Sequence, residues 1–157
     1  MVACRYIRLH RDRSPSGLKM TDPLALVTRF RNSLLPILEE WGGRLRNEYP
    51  AVSVNVYEMA ATGMDGHGVG IDCLFKEVDL DAVDNVALCI LIQQVHTSPT
   101  IHADVVWGHP SGQIEAELFD SPIAATVQRL EEVVSRLPEL IAALRGALHR
   151  GFPNQGA

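Results

Sequence analysis

The stretch from residue 101 to residue 119, IHADVVWGHPSGQIEAELF, decides the fold because it strongly favours one antiparallel pairing. Its central HPSG, residues 109–112, fits a type I turn, with proline at the second position and glycine at the fourth. A four-residue loop pairs Gly108 with Gln113. Three apolar residues on each side of the turn then share one face: Ala103, Val105 and Trp107 with Ile114, Ala116 and Leu118. A slip of one residue would set polar side chains against this apolar set, so the sequence predicts the first register.

The opposite face of this hairpin carries the candidate binding residues His102, Asp104, Glu115 and Glu117. In the predicted register Asp104 lies opposite Glu117, and Val106 lies opposite Glu115. Like charges directly across a ladder are destabilising, so the carboxylates require relief from water, a cation or a partner's basic side chain. Three interpretations stay open: a solvated face, a protein-binding face that accepts Lys or Arg, and metal or acid–base chemistry. The two-residue spacing without a second histidine does not favour a metal site, and no cofactor is predicted.

Outward from this hairpin, breaks at Gly, Pro, Asn and Asp separate five strand-like runs: 51–59, 69–76, 86–96, 101–107 and 113–119. Short links favour antiparallel neighbours in a meander. The third run is apolar on both parities from Val86 to Ile92, as expected for a central strand covered on two sides. Periodicity alone leaves a helix open there.

Apolar residues before the first strand recur at every third or fourth position, which indicates one buried helix face: Val27, Phe30, Leu34, Leu38, Trp41 and Leu45. Pro36 is expected to kink this helix. Gly42 and Gly43 are expected to weaken its last turn, and Tyr49 and Pro50 to end it.

The C-terminal segment shows the strongest helical periodicity, with apolar residues spaced by four and three: Ile123, Val127, Leu130, Val134, Leu137, Ile141, Leu144 and Leu148. Asp120 or Ser121 can cap this helix, and Pro122 suits its first turn. The stripe fits either packing on the sheet or a dimer seam. The predicted fold class is therefore α+β: an antiparallel sheet of about five strands, flanked by an N-terminal helix and a long C-terminal amphipathic helix.

Residues 61–70, ATGMDGHGVG, are rich in glycine but contain neither G-x-G-x-x-G nor G-x-x-x-x-G-K-[ST]. Both flanks alternate like strands, whereas a phosphate loop leads into a helix. The segment is predicted to be a hairpin loop, with His67 solvated at its tip.

Composition indicates a single acidic domain without a membrane or nucleic-acid partner. The net charge of the 157 residues is −5, and the longest apolar run, residues 86–92, is too short to span a membrane. Residues 1–19 are predicted to be a disordered basic extension, residues 20–150 a single domain and residues 151–157 a flexible tail. Three cysteines without C-x-x-C spacing indicate reduced thiols and a cytoplasmic protein.

No motif of nucleophilic catalysis occurs: there is no G-x-S-x-G, and Cys73 and Cys89 lie in apolar runs typical of the core. The predicted function is a non-catalytic protein-interaction module, chaperone-like or partner-neutralising, that binds another protein or itself. The alternative is a small-molecule-binding or metal-dependent enzyme that uses the acidic and histidine-bearing sheet face.

Overall fold

The computed structural model describes residues 23–60, 65–75, 85–108, 112–120 and 122–151. Its elements follow in the order α1 Pro23–Glu48, β1 Val52–Ala60, β2 Gly66–Phe75, β3 Asn85–Gln93, β4 Thr100–Trp107, β5 Ile114–Glu117, β6 Ile123–Ala124 and α2 Val127–Gly151. All strands join one antiparallel sheet in the order β1-β2-β3-β4-β5, and the short β6 pairs with the first residues of β4. The predicted α+β class and meander are confirmed.

The predicted basic extension, 1–19, lies outside the described residues. So does the predicted tail, apart from Gly151, which ends α2. The domain limits at residues 20 and 150 stay a prediction.

Both helices pack on the same face of the sheet. α1 lies on β1 and β2, while α2 lies on β3, β4 and β5, and the two helices touch each other. Alternate strand residues point into the core between them, including Ile71 in β2, Leu88 in β3 and Val105 in β4, all fully buried. The described residues thus form two layers: the helices cover one face of the sheet, and no described element covers the other, which we call the open face.

α1 follows its predicted apolar stripe, since Phe30, Leu34, Leu38 and Leu45 are fully buried. The helix continues through both glycines to Glu48, so the weakened last turn is still helical. Gly42 also allows α1 to approach β1 closely, because a Cβ at this position would lie 2.6 Å from Val56 Cγ2.

α2 begins at Val127, four residues after the predicted apolar start. Ile123 instead pairs with Ile101 in the sheet, which removes it from the helix. Thr126 is the cap, because its Oγ1 accepts a hydrogen bond of 3.1 Å from the backbone N–H of Arg129. The predicted cap at Asp120 is therefore wrong, and Ser121 lies outside the described residues.

The apolar stripe of α2 packs within the domain. Its members at Leu130, Leu137, Ile141 and Leu144 are at most 3% exposed against the sheet and α1. The stripe is therefore not free to form the dimer seam that its spacing also allowed.

The hairpin of β4 and β5 keeps the predicted register at two pairs and then departs from it. Asp104 lies opposite Glu117 and Val105 opposite Ala116, but Val106 pairs with Ile114 because a bulge falls between these pairs. Ile114 consequently joins the open face, where it is 54% exposed, and not the apolar core face predicted for it.

Two further predictions are wrong: the cover of β3 on both sides and the exposure of His67. β3 is central and apolar on both parities, yet only the side of Val86, Leu88, Ile90 and Ile92 is buried under the helices. His67 is not solvated at a loop tip: it lies in β2 and is 7% exposed. Residues 61–64 of the predicted loop lie outside the described ranges.

Neither of the two described helices contains a segment long and apolar enough to cross a membrane.

Two adjacent glycines in α1 give a matched test of the close helix-to-sheet approach. Gly43→Ala is expected to raise the free energy of unfolding by roughly 0.5–1 kcal/mol, because the new Cβ would meet no atom within 4 Å apart from the neighbouring backbone of α1, and alanine favours the helix. Gly42→Ala has the same helical advantage but must displace Val56, so a net loss of about 1–2 kcal/mol is expected. Urea denaturation measures both, and equal effects would contradict the close packing.

Candidate functional site

Three of the four predicted binding residues come together on the open face. His102 and Asp104 project from β4 and Glu117 from β5, and they line a shallow depression of about 260 Å³. Its remaining walls come from β4, from β5 and from the segment between β5 and β6: Ala103, Ile114, Phe119, Asp120 and Pro122. The depression combines two opposed carboxylates with apolar walls.

Asp104 and Glu117 are direct cross-strand neighbours, as the sequence predicted. The pKa of Asp104 is raised, chiefly because burial removes water from its carboxylate; His102 lowers this pKa, and the negative charge of Glu117 raises it. A negative charge at Asp104 is therefore held at a cost in stability that a nearby cation would reduce.

Glu115 does not belong to this group, which corrects the prediction. The bulge turns its side chain to the covered face, where its Oε2 accepts a hydrogen bond of 2.9 Å from Trp107 Nε1. Its other carboxylate oxygen forms an ion pair with Arg150 at the end of α2. Glu115 thus ties β5 to the helix layer.

His102 offers a buried ring nitrogen, Nδ1, that has no hydrogen-bond partner among the described residues. A metal site would need further ligands beside it. Across the described part of the chain, no group of three His, Cys, Asp or Glu side chains is arranged to hold a metal ion.

The open face consists of the strand side chains that alternate with the core, and it runs in rows across the sheet. One row crosses Tyr57, Gly70, Cys89, Asp104 and Glu117. The next row crosses Met59, Gly68, Leu91 and His102, and the row on the other side crosses Asn55, Asp72, Ala87, Val106 and Ile114. Most of these positions are apolar or glycine.

On the open face, the ring of Tyr57 in β1 lies over Gly70 in the neighbouring strand β2. A Cβ at Gly70 would approach the Tyr57 hydroxyl oxygen to 2.5 Å, so only glycine leaves space for the ring. The hydroxyl donates a 3.1 Å hydrogen bond to Cys89 Sγ. Burial raises the pKa of Tyr57 well above its ordinary value, so the phenol stays protonated.

Neither described cysteine has the properties of an activated nucleophile. Burial, reinforced by Asp72, raises the pKa of Cys73 to about 12. Burial also raises the pKa of Cys89, which is half-buried on the open face and not fully buried as its apolar run indicated. A thiolate is the reactive form, and both environments disfavour it.

A second polar cluster, missed at the level of sequence, lies on the covered face. Glu58 of β1 accepts a hydrogen bond of 2.9 Å from Arg31 of α1, and its Oε1 lies 3.0 Å from Nε2 of His67. The His67 ring also packs edge-on against Phe30, with centroids 6.1 Å apart. The signal was present, because His67 shares its parity with Val69 and the core side chains after it.

Glu117→Gln is expected to leave the fold intact and to raise the free energy of unfolding at pH 7 by up to about 1 kcal/mol, because it removes a like-charge cross-strand pair. Because the pKa of Asp104 is raised in the folded protein, its protonated form stabilises the fold in acid, and this stabilisation is lost as the pH rises through the folded pKa. The gain in stability from Glu117→Gln should vanish near pH 3, because Asp104 is protonated there and the like-charge pair no longer exists. Thermal unfolding at both pH values measures it, and Glu39→Gln on α1 is the control; a loss of stability at pH 7 would contradict the like-charge interpretation.

Glu58→Ala is expected to lower the free energy of unfolding by about 1–2 kcal/mol, because it leaves the buried His67 without a polar partner. Arg31 holds the pKa of Glu58 low through its hydrogen bond, so this contribution is present at neutral pH and lost as pH falls through the folded pKa. Glu40→Ala breaks an exposed ion pair with Arg44 and should change stability by less than about 0.5 kcal/mol. Equal losses in the two variants would show that the contact of Glu58 with the buried His67 has no special role.

The chain matches no protein-family model, no curated protein and no solved structure. The open face and the pair of Asp104 and Glu117 on it are therefore the features from which a function can be inferred.

Proposed function

We propose that the chain is a non-catalytic protein-interaction module that binds another protein, or a second copy of itself, through its open sheet face. The observation that carries the proposal is β3, the central strand, which is apolar on both parities although helices cover only one side. In an antiparallel sheet with one solvated face, the strand residues on that face are normally polar. Here the central positions of the open face are Leu91 and Cys89.

Neighbouring strands extend this apolar surface. Met59 of β1 and Ile114 of β5 are each 54% exposed. Val106 of β4, which pairs with Ile114, is half-buried on the same face. Exposed apolar surface of this kind, bordered by polar residues such as Asn55 and Asp72, is typical of protein-binding sites. An acidic two-layer domain with one open sheet face suits a chaperone-like or partner-neutralising role by analogy of fold.

The edge of the sheet favours binding through the open face and disfavours the addition of a partner strand. β1 is an edge strand of nine residues, and such strands invite pairing with another chain. Arg46 of α1 blocks this one, because its Nε donates a 2.9 Å hydrogen bond to the backbone oxygen of Val54. A partner strand would have to displace that contact.

The cytoplasm is the compartment we propose. Cys73 and Cys89 are both free thiols, and free thiols are typical of a reducing environment.

The alternative function is an enzyme or small-molecule-binding protein that uses the depression at His102, Asp104 and Glu117. The raised pKa of Asp104 favours it, since perturbed carboxyl groups concentrate at catalytic sites. The shallow form of the depression and the absence of a three-ligand set among the described residues give it less support than the apolar face gives to protein binding.

Native mass spectrometry of the protein purified from its own source tests the proposal. A stoichiometric complex or dimer without a small added mass is expected. Met59→Lys should dissociate it, whereas Leu24→Lys, at a 71% exposed leucine on α1, should not. An added mass of a metal or small ligand would favour the enzyme, and a complex that resists Met59→Lys would place the interface elsewhere.

A further inference from the structure

We infer that the open face binds an amphipathic helix of another protein, whose apolar side chains flank at least one Lys or Arg, and not a second copy of this chain. The inference rests on the proposed function of the open face, and it specifies the partner.

The charges of the open face decide between these two occupants. Its described charged residues are Asp72, Asp104 and Glu117, and every described arginine lies on α1 or α2. Two copies meeting through this face would bring only carboxylates together, and like charges facing each other oppose association. A segment with a cation is the complementary partner.

Arginines near the carboxylate pair are already engaged behind the sheet. Arg136 of α2 donates to the backbone oxygen of Leu118 at 3.1 Å and forms an ion pair with Glu139 at 3.0 Å. Arg150 is paired with Glu115. Neither arginine is placed to relieve Asp104 and Glu117. His102 lowers the pKa of Asp104, and a cation from a partner would add to that relief.

The depression suits one long basic side chain. Ile114 and Phe119 supply apolar walls for its methylene stem, and Asp104 and Glu117 supply carboxylates for its charged head. Such a residue would bind through both of its chemical parts, which neither a small cation nor a leucine side chain can do.

The rest of the open face suits the apolar side of a helix. Met59 and Leu91 close over Gly68, where a Cβ would lie 3.8 Å and 3.3 Å from their terminal methyl groups, and Tyr57 covers Gly70. This low apolar surface extends from β1 towards β4. Five strands spaced by about 4.8 Å span roughly 19 Å, which a helix of about 13 residues covers.

The test uses the full chain and a synthetic helical peptide of about 14 residues, built from Leu, Ala and Lys with the lysines beside one apolar stripe. Fluorescence anisotropy measures its affinity, with a peptide carrying Glu in place of Lys as the probe for charge. The double variant D104N/E117Q is compared with E39Q/E131Q, which removes the same charge from exposed helix positions. Thermal unfolding checks that both variants are folded.

We expect the lysine peptide to bind the wild type and E39Q/E131Q equally, and D104N/E117Q at least about tenfold more weakly, a factor that corresponds to about 1.4 kcal/mol. Met59→Lys should also weaken binding, and the glutamate peptide should not bind. No binding of the lysine peptide to the wild type, or equal binding to both double variants, would overturn the inference.

The remaining outcomes separate this inference from the proposed function. Loss of peptide binding in Met59→Lys but not in D104N/E117Q would leave an apolar protein-binding face and overturn the role of the carboxylates. A wild-type dimer that Met59→Lys dissociates would make a second copy the occupant, again overturning only the inference. A native complex that Met59→Lys leaves intact would contradict the proposed function itself.

Discussion

Burial of one sheet face under two helices is the constraint on which the rest of the structure depends. Phe30, Leu34 and Leu144 are fully buried against alternate strand residues, and this apolar burial is the main source of stability. Since strand side chains alternate, helices that cover one parity leave the other without a layer. The side chains of the alternate positions, which include Leu91 and Met59, therefore lie outside the core formed with the helices.

The sequence was sufficient for the fold where one local pattern determined the answer. Strand alternation predicted that Asp104 lies opposite Glu117, and helical spacing predicted the apolar stripe of α2. The structure contains both features. The bulge at Glu115 was not predicted from the local pattern; in the structure Glu115 contacts Trp107 and the distant Arg150. Local propensity also favoured a helix at Ile123, but pairing with β4 overrides it.

Strand alternation also determines which site residues could be predicted from sequence. His102, Asp104 and Glu117 needed only a period of two and one correct pairing, whereas Glu115 needed knowledge of the bulge. His67 was obscured by its glycines, since Gly66 and Gly68 are typical of turns although here they lie in β2. Glycine in a strand can instead mark a close approach, which β2 shows at Gly70 beneath Tyr57.

The distribution of charge separates what stabilises the fold from what it offers to a partner. On the covered side carboxylates meet arginines, as Glu58 meets Arg31 and Glu115 meets Arg150. On the open face Asp104 meets Glu117 instead, although an opposite charge there would stabilise the sheet by about 0.2–1 kcal/mol. A cation supplied by the proposed partner would recover that stability. Beside exposed apolar side chains, this pair would give the proposed binding face both affinity and selectivity for a basic partner.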